Sequence, residues 1–205
     1  MDSTAAIANA IRGAAKDLEL PVPTFEQASY VIGLGLSDAL NKVVPDLKPD
    51  QVQRFSDRYR HHFVQLANDL VPFERIPQML ADLRDQPVPV TIATGKSRAG
   101  LNNALEAAQW EQYFVSTRCA DEGPPKPDPW MLNDLCAELG VAPDRTVMIG
   151  DTTHDLAMAA SAGAHSIAVS YGAHDADALA QQASVGLIDS GQELHDLLLS
   201  LIKTN

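Results

Sequence analysis

Two carboxylates, Asp151 and Asp155, are the residues of this chain best placed to do chemistry. They stand four apart in the run Thr146-Val-Met-Ile-Gly-Asp-Thr-Thr-His-Asp-Leu-Ala-Met-Ala-Ala-Ser-Ala-Gly163. Val147 to Ile149 reads as a short apolar strand that stops at Gly150, and an alanine-rich helical pattern continues to Gly163. Carboxylates at the carboxyl end of a strand suit a hard, oxygen-liganded cation such as Mg2+. Gly150 permits close backbone approach just where the strand ends. Each aspartate also has a plainer explanation, Asp151 as a helix N-cap and Asp155 as a solvated residue favoured by the helix dipole. The setting tips the reading toward metal binding by Asp151, with Asp155 in support.

Two further signals lie at the ends of other strand patterns. Val88-Pro-Val-Thr-Ile-Ala93 reads as a buried strand and runs into Thr94-Gly95-Lys96-Ser97. A hydroxyl and free backbone N–H groups entering a helix can hold a phosphate, although Thr94 and Ser97 alone would read as helix caps. Lys126 sits in Pro-Pro-Lys-Pro-Asp-Pro, where flanking prolines fix the backbone and lower the entropy lost in aiming one ammonium. By itself it would read as a solvated loop lysine. A parallel sheet brings the ends of successive strands together. Hydroxyl, ammonium and metal carboxylates then describe one phosphate site, with donor, cation and Mg2+ acting on a single anion.

The elements that must position these groups divide the chain in two. Residues 5 to 70 are helix after helix. An amphipathic stretch over 4 to 20 carries Ile7, Ile11, Ala14, Ala15 and Leu18 on one stripe, and Pro21-Val-Pro23 ends it. Thr24 with Glu26-Gln27 opens a second helix, and Ser37 to Val44 forms a short third. A longer helix over 49 to 70 carries Val52, Phe55, Tyr59, Phe63 and Leu66 on one side, with Arg58, Arg60, His61 and His62 on a solvated face. Ile32-Gly-Leu-Gly-Leu36 is a loop without the glycine spacing of a dinucleotide fingerprint. From residue 71 to 205 the pattern alternates: strands at 88–93, 115–119, 147–149, 166–169 and 185–188, and helices at 74–84, 97–108, 129–139, 175–182 and 191–202. Alternation of this kind predicts an α/β fold with a doubly wound parallel sheet.

Composition excludes several classes. The net charge of −12 over 205 residues disfavours a nucleic-acid partner, which calls for a basic face. An anionic substrate must then be drawn in by local cations against the overall field. No apolar run approaches the ~20 residues that span a bilayer, and the start of the sequence shows no secretory pattern. Cys119 and Cys136 form no close-spaced motif and read as buried thiols of a cytosolic protein.

Thr94, Lys126 and the Gly150-Asp151…Asp155 pattern, in this order, resemble the haloacid dehalogenase-like (HAD) hydrolase superfamily, in particular its phosphoglycolate-phosphatase-like branch. Val90-Thr-Ile-Ala-Thr94 matches the family's second motif, Lys126-Pro127 its third, and Gly150 to Asp155 its fourth. The resemblance spans essentially the whole chain. It implies a Rossmann-like core over 71–205 together with 1–4, and an α-helical cap over 5–70. It also implies Mg2+ as cofactor, ligated by Asp151 and supported by Asp155, with Thr94, Gly95 and Lys126 on the phosphate. The implied substrate is a small phosphorylated cytosolic metabolite, acted on by a monomer or homodimer.

Two departures matter. The family's first motif, Asp-x-Asp-x-Thr, supplies the nucleophile and the general acid/base. Met1-Asp2-Ser3-Thr4 looks like the continuation of that motif, so the resemblance places the nucleophile upstream of Met1. The corresponding strand would lie between those bearing Thr94 and Asp151, and without it their edges are expected to face an unpaired gap that impairs folding or activity. Second, relatives often carry a substrate-contacting arginine before the position of Ile32-Gly33, where this chain has Ala28, Ser29 and Tyr30. Three readings stay open: a phosphomonoesterase working through an aspartyl-phosphate, a non-catalytic phosphate- or metabolite-binding protein, and a metal-independent dehalogenase, against which the Asp151–Asp155 pattern speaks.

Overall fold

The computed structural model describes residues 1–67 and 70–204. Four helices come first: α1 (Thr4–Asp17), α2 (Phe25–Tyr30), α3 (Leu36–Val43) and α4 (Val52–Leu66). Alanines at 8, 10, 14 and 15 of α1 are fully buried, and their small side chains let neighbouring helices approach closely. Phe55 of α4 is buried completely in the same cluster, with Val31, Leu34, Leu40 and Val44 around it. Thr24 and Gln27 close a reciprocal capping box at the start of α2, as their spacing predicts. The fourth helix opens as a 3-10 turn over Pro49–Gln51 before becoming α-helical. The helix expected to run to residue 70 ends at Leu66 with Ala67 as its C-cap, and positions 68 and 69 lie outside the described residues. Arg58 and His62 depart from the solvated face expected of them. Both hold the Asp17 carboxylate at the end of α1, Arg58 Nε at 2.6 Å and His62 Nε2 at 2.8 Å, so they staple α4 to α1.

The second part alternates as expected. It runs α5 (Ile76–Arg84), β1 (Thr91–Thr94), α6 (Arg98–Ala108), β2 (Ser116–Cys119), α7 (Trp130–Leu139), β3 (Val147–Gly150), α8 (Thr153–Ala162), β4 (His165–Val169), α9 (Ala176–Ala180), β5 (Gly186–Ile188) and α10 (Gly191–Thr204). Boundaries move by one to three residues. The strand expected from Val88 starts late because Pro89 has no N–H to give a ladder, although Val90 O already accepts from Val115 N at 3.0 Å.

All strand pairs are parallel, but the five strands form two ribbons. Thr91 to Thr94 pair with Ser116 to Cys119, while β3, β4 and β5 form a separate three-stranded sheet in that order. Among the described residues no ladder joins β1 to β3. This division falls between the strands that end at Thr94 and just before Asp151, the pair for which the family resemblance implies unpaired edges. Shared helical layers hold the ribbons in register. One cluster, built on α5, α10 and β4, takes in both Val90 and Ile149. Another, built on α7 and α8, takes in both Ala93 and Met148.

Candidate active site

The fourth-motif loop is built by local geometry. Gly150 ends β3 buried, and a side chain there would collide with the Asp155 carboxyl group. Thr152 caps α8: its hydroxyl accepts from Asp155 N–H, and Asp155 returns the bond through Oδ2 to Thr152 N and Oγ1 at 3.1 and 2.7 Å. Asp155 thus occupies the first turn of its helix, favoured by the macrodipole. Its other oxygen, Oδ1, accepts from Lys126 Nζ at 2.5 Å. Both partners are about 5 % exposed, so Lys126 is not the solvated lysine of the plainer explanation. A buried ion pair of this kind costs desolvation on both sides, which marks it as a site feature more than a source of stability. The Lys126–Pro127 peptide is cis.

Asp151 differs. Its Oδ2 accepts from Ala173 N–H at 2.9 Å, and its main-chain carbonyl accepts from His174 N–H at 3.1 Å. Burial raises the Asp151 pKa, and the charge of Asp155 raises it further. A divalent cation would offset both effects, and a hard carboxylate oxygen is the donor that Mg2+ prefers, so the residues present fit that ion. Among the described residues no group of three or more His, Cys, Asp or Glu is arranged to hold a metal. The donor set in view is therefore Asp151, with Asp155 committed to Lys126 and the α8 terminus.

At the end of β1, the Thr94 hydroxyl accepts from Lys96 N–H at 3.2 Å, leaving its own proton free to donate. The loop 31–35 of the helical module lies over all three strand ends. A methyl group on Gly95 would stand 2.5 Å from Gly33 O and 2.7 Å from Leu34 O. One on Gly33, whose φ is +95°, would stand 3.1 Å from Thr152 Oγ1, and one on Gly35 would stand 3.0 Å from Pro125 Cβ. The two-glycine loop that matches no nucleotide motif in the sequence thus serves as a contact surface. It touches the Thr94, Lys126 and Asp151 loops, which the motif order brings together.

Several groups at this junction escape sequence reasoning. Lys96 is half-buried with its Nζ 5.3 Å from the centroid of the Phe63 ring on α4, and desolvation lowers its pKa. His154 and His174, 7 % and 4 % exposed, both reach the carbonyl of Tyr30 on α2. Burial lowers the pKa of each. His154 is visible inside the fourth-motif run, where it reads as a helix residue. His174 and Tyr30 carry no local signal, because only the fold brings them together.

Comparison with known proteins bears on the family and the fold. A family model described as haloacid dehalogenase-like hydrolase matches residues 1–169. A protein of Dickeya dadantii described as the probable phosphatase IndB is 31% identical over 99% of this chain and 90% of its own length. The phosphoglycolate phosphatase of Chromobacterium violaceum is 28% identical over 97% of this chain and 91% of its own. In fold, a hydrolase from Pseudomonas syringae superposes with a TM-score of 0.87 at 17% identity, covering 97% of this chain and 92% of that one.

Proposed function

This chain belongs to the haloacid dehalogenase-like hydrolase family and resembles its phosphoglycolate-phosphatase-like members, and on that premise we propose that it is built for Mg2+-dependent hydrolysis of a small phosphomonoester. The observation that carries the reading is the buried Lys126 held by Asp155 beside Asp151, at the meeting of strand ends. An ammonium has three donors. Asp155 takes one, which leaves Lys126 donors for phosphoryl oxygens. The Thr94 hydroxyl and the Gly95 N–H face the same anion and stabilise the charge that develops as the ester bond breaks. Asp151 would hold Mg2+, which would supply positive charge against the phosphate, and Asp155 fixes the loop. Lys96 provides a second cation under the helical module, suited to a substrate with another anionic group besides the phosphate. The module acts as a cap that excludes water and selects the leaving group.

The nucleophile in this proposal is an aspartate on a strand seated between β1 and β3, whose facing edges are unpaired among the described residues. It attacks phosphorus, the alcohol leaves, and water then hydrolyses the aspartyl-phosphate. The test is turnover of p-nitrophenyl phosphate with Mg2+ by this chain and by a form extended upstream of Met1 through an Asp-x-Asp-x-Thr strand. We expect turnover by the extended form, lost on Asp151→Asn. No turnover, or turnover indifferent to that substitution, sinks the proposal. A second reading, binding of phosphate without turnover, is favoured by one observation. Among the described residues, Asp155 is engaged by Lys126 and Thr152 and Asp151 accepts from the Ala173 N–H, so both carboxylates act as holding groups. Calorimetry with phosphate and Mg2+ that shows binding, alongside an inert extended form, would select it.

A further inference from the structure

Tyr30 belongs to the helical module and His154 and His174 to the α/β part, yet the three form one tight group. The Tyr30 carbonyl accepts from His154 Nε2 at 3.1 Å and from His174 Nε2 at 3.0 Å. A carbonyl only accepts, so both imidazoles carry the proton on Nε2. The His174 ring stacks on the Tyr30 ring, with centroids 4.7 Å apart and planes 10° apart. The His154 ring meets both edge-on, 5.7 Å from Tyr30 and 5.1 Å from His174. The free nitrogen of His174, Nδ1, accepts from Thr153 N–H at 3.1 Å, the first residue of α8. Its main-chain N–H holds the Asp151 carbonyl, and that of its neighbour Ala173 holds the Asp151 carboxylate. One residue therefore touches the cap, the start of α8 and the loop that orients Asp151.

We infer that His154 and His174 form a latch on the Tyr30 carbonyl, and that His174 is a positioning residue coupling the docked cap to the orientation of Asp151. Two hydrogen bonds and a ring stack on a single cap residue give the docked state a specific contact that an open cap lacks. Because His174 uses both ring nitrogens, movement at Tyr30 is passed to the 173–174 main chain and from there to Asp151. Coupling of this kind is reciprocal, so a disturbance on either side must be felt on the other. The inference deepens the phosphatase reading, since it concerns the metal-binding carboxylate. Its test uses neither turnover nor metal.

The experiment is residue-resolved amide hydrogen exchange on the whole chain. His174→Asn keeps an acceptor near the Nδ1 position but loses the bond to Tyr30. His174→Gln keeps a donor near the Nε2 position. Tyr30→Ala removes the stacked ring from the other side. For His174→Asn we expect exchange of the 31–35 amides to quicken about five- to tenfold, with His174→Gln closer to the parent. For Tyr30→Ala we expect the amides of Ala173 and His174 to quicken, while those of Ile167 and Ala168 in β4 stay unchanged. Effects confined to the mutated side overturn the coupling. Uniform loss of protection that includes β4 overturns it as well, because the histidines are then ordinary core packing. A chain that binds no Mg2+ defeats the proposed metal site and leaves the latch to be judged on exchange alone.

Discussion

The ribbon β1–β2 and the sheet β3–β4–β5 are made of strands of similar length and the same parallel pairing, but they are buried differently. Every residue of β1 is half-exposed, and β3 is exposed or half-exposed until Gly150. In β4, by contrast, all but His165 are buried. A strand paired on both sides and covered on both faces, like β4, rests on its own core. The strands that face each other across the division do not. Their ends nevertheless carry Thr94 and lead into Asp151. The site is therefore held by what crosses the division rather than by the sheet: the Lys126–Asp155 pair, the helices α7 and α8, and the glycine loop of the helical module.

That contrast can be broken most forcefully at the crossing pair. Asp155→Ala leaves the Lys126 ammonium buried without its partner and should cost about 3–5 kcal/mol. The double change Lys126→Met with Asp155→Leu should recover much of that loss. Urea denaturation of the two variants decides it, and equal losses would show that the pair is not a unit. The difference in burial predicts the next effect. Ile167→Ala in β4 should destabilise by about 2–5 kcal/mol, and Ile92→Ala in β1 by clearly less. Similar shifts in urea midpoint would erase the distinction between the ribbons.

A smaller effect on stability, but a specific one on binding, is expected of Gly95→Ala. Its methyl pushes against Gly33 O, which forces the loop over the site to lift at about 1–3 kcal/mol. Phosphate affinity measured by calorimetry should fall with it, and unchanged affinity would detach the loop from the site. The smallest effect lies outside both ribbons and serves as a baseline. Asp17 has its pKa lowered by the hydrogen bonds from His62 and Arg58. Its contribution is present above the ordinary carboxylate value and is lost as pH falls through the lowered one. Asp17→Asn should lower stability slightly at neutral pH and converge with the parent as pH falls below about 4, so that urea midpoints followed against pH show a flatter acid limb.

Sequence and structure agree where the determinant is local. The capping box at Thr24 and Gln27, the arrest of β3 at Gly150 and the strand–helix alternation are written in neighbouring residues, and each stands where the pattern puts it. The family's motif spacing also makes Thr94, Lys126, Asp151 and Asp155 legible as one group. What the pattern cannot convey is which oxygen meets which nitrogen. Asp155 reads as a metal carboxylate in sequence, yet both its oxygens are engaged, by Lys126 and by Thr152. The Arg58 and His62 staple onto Asp17 bridges more than forty residues of sequence, beyond the reach of a helical wheel. His174, which contacts Tyr30 from a distant loop, is hidden for the same reason.

Where the helical module meets the strand ends, one close approach runs from main chain to main chain, between Gly33, Leu34 O and Gly95. That approach makes no use of side-chain identity, unlike the Tyr30–His174 contact beside it. Exposed neighbours, such as Leu36 at 38 % exposure, lie outside that main-chain approach. The surface around it can then be rewritten by substitution while the main-chain seat stays the same. The glycines make that division of labour possible: they fix the joint and leave the choice of what it closes on to their neighbours.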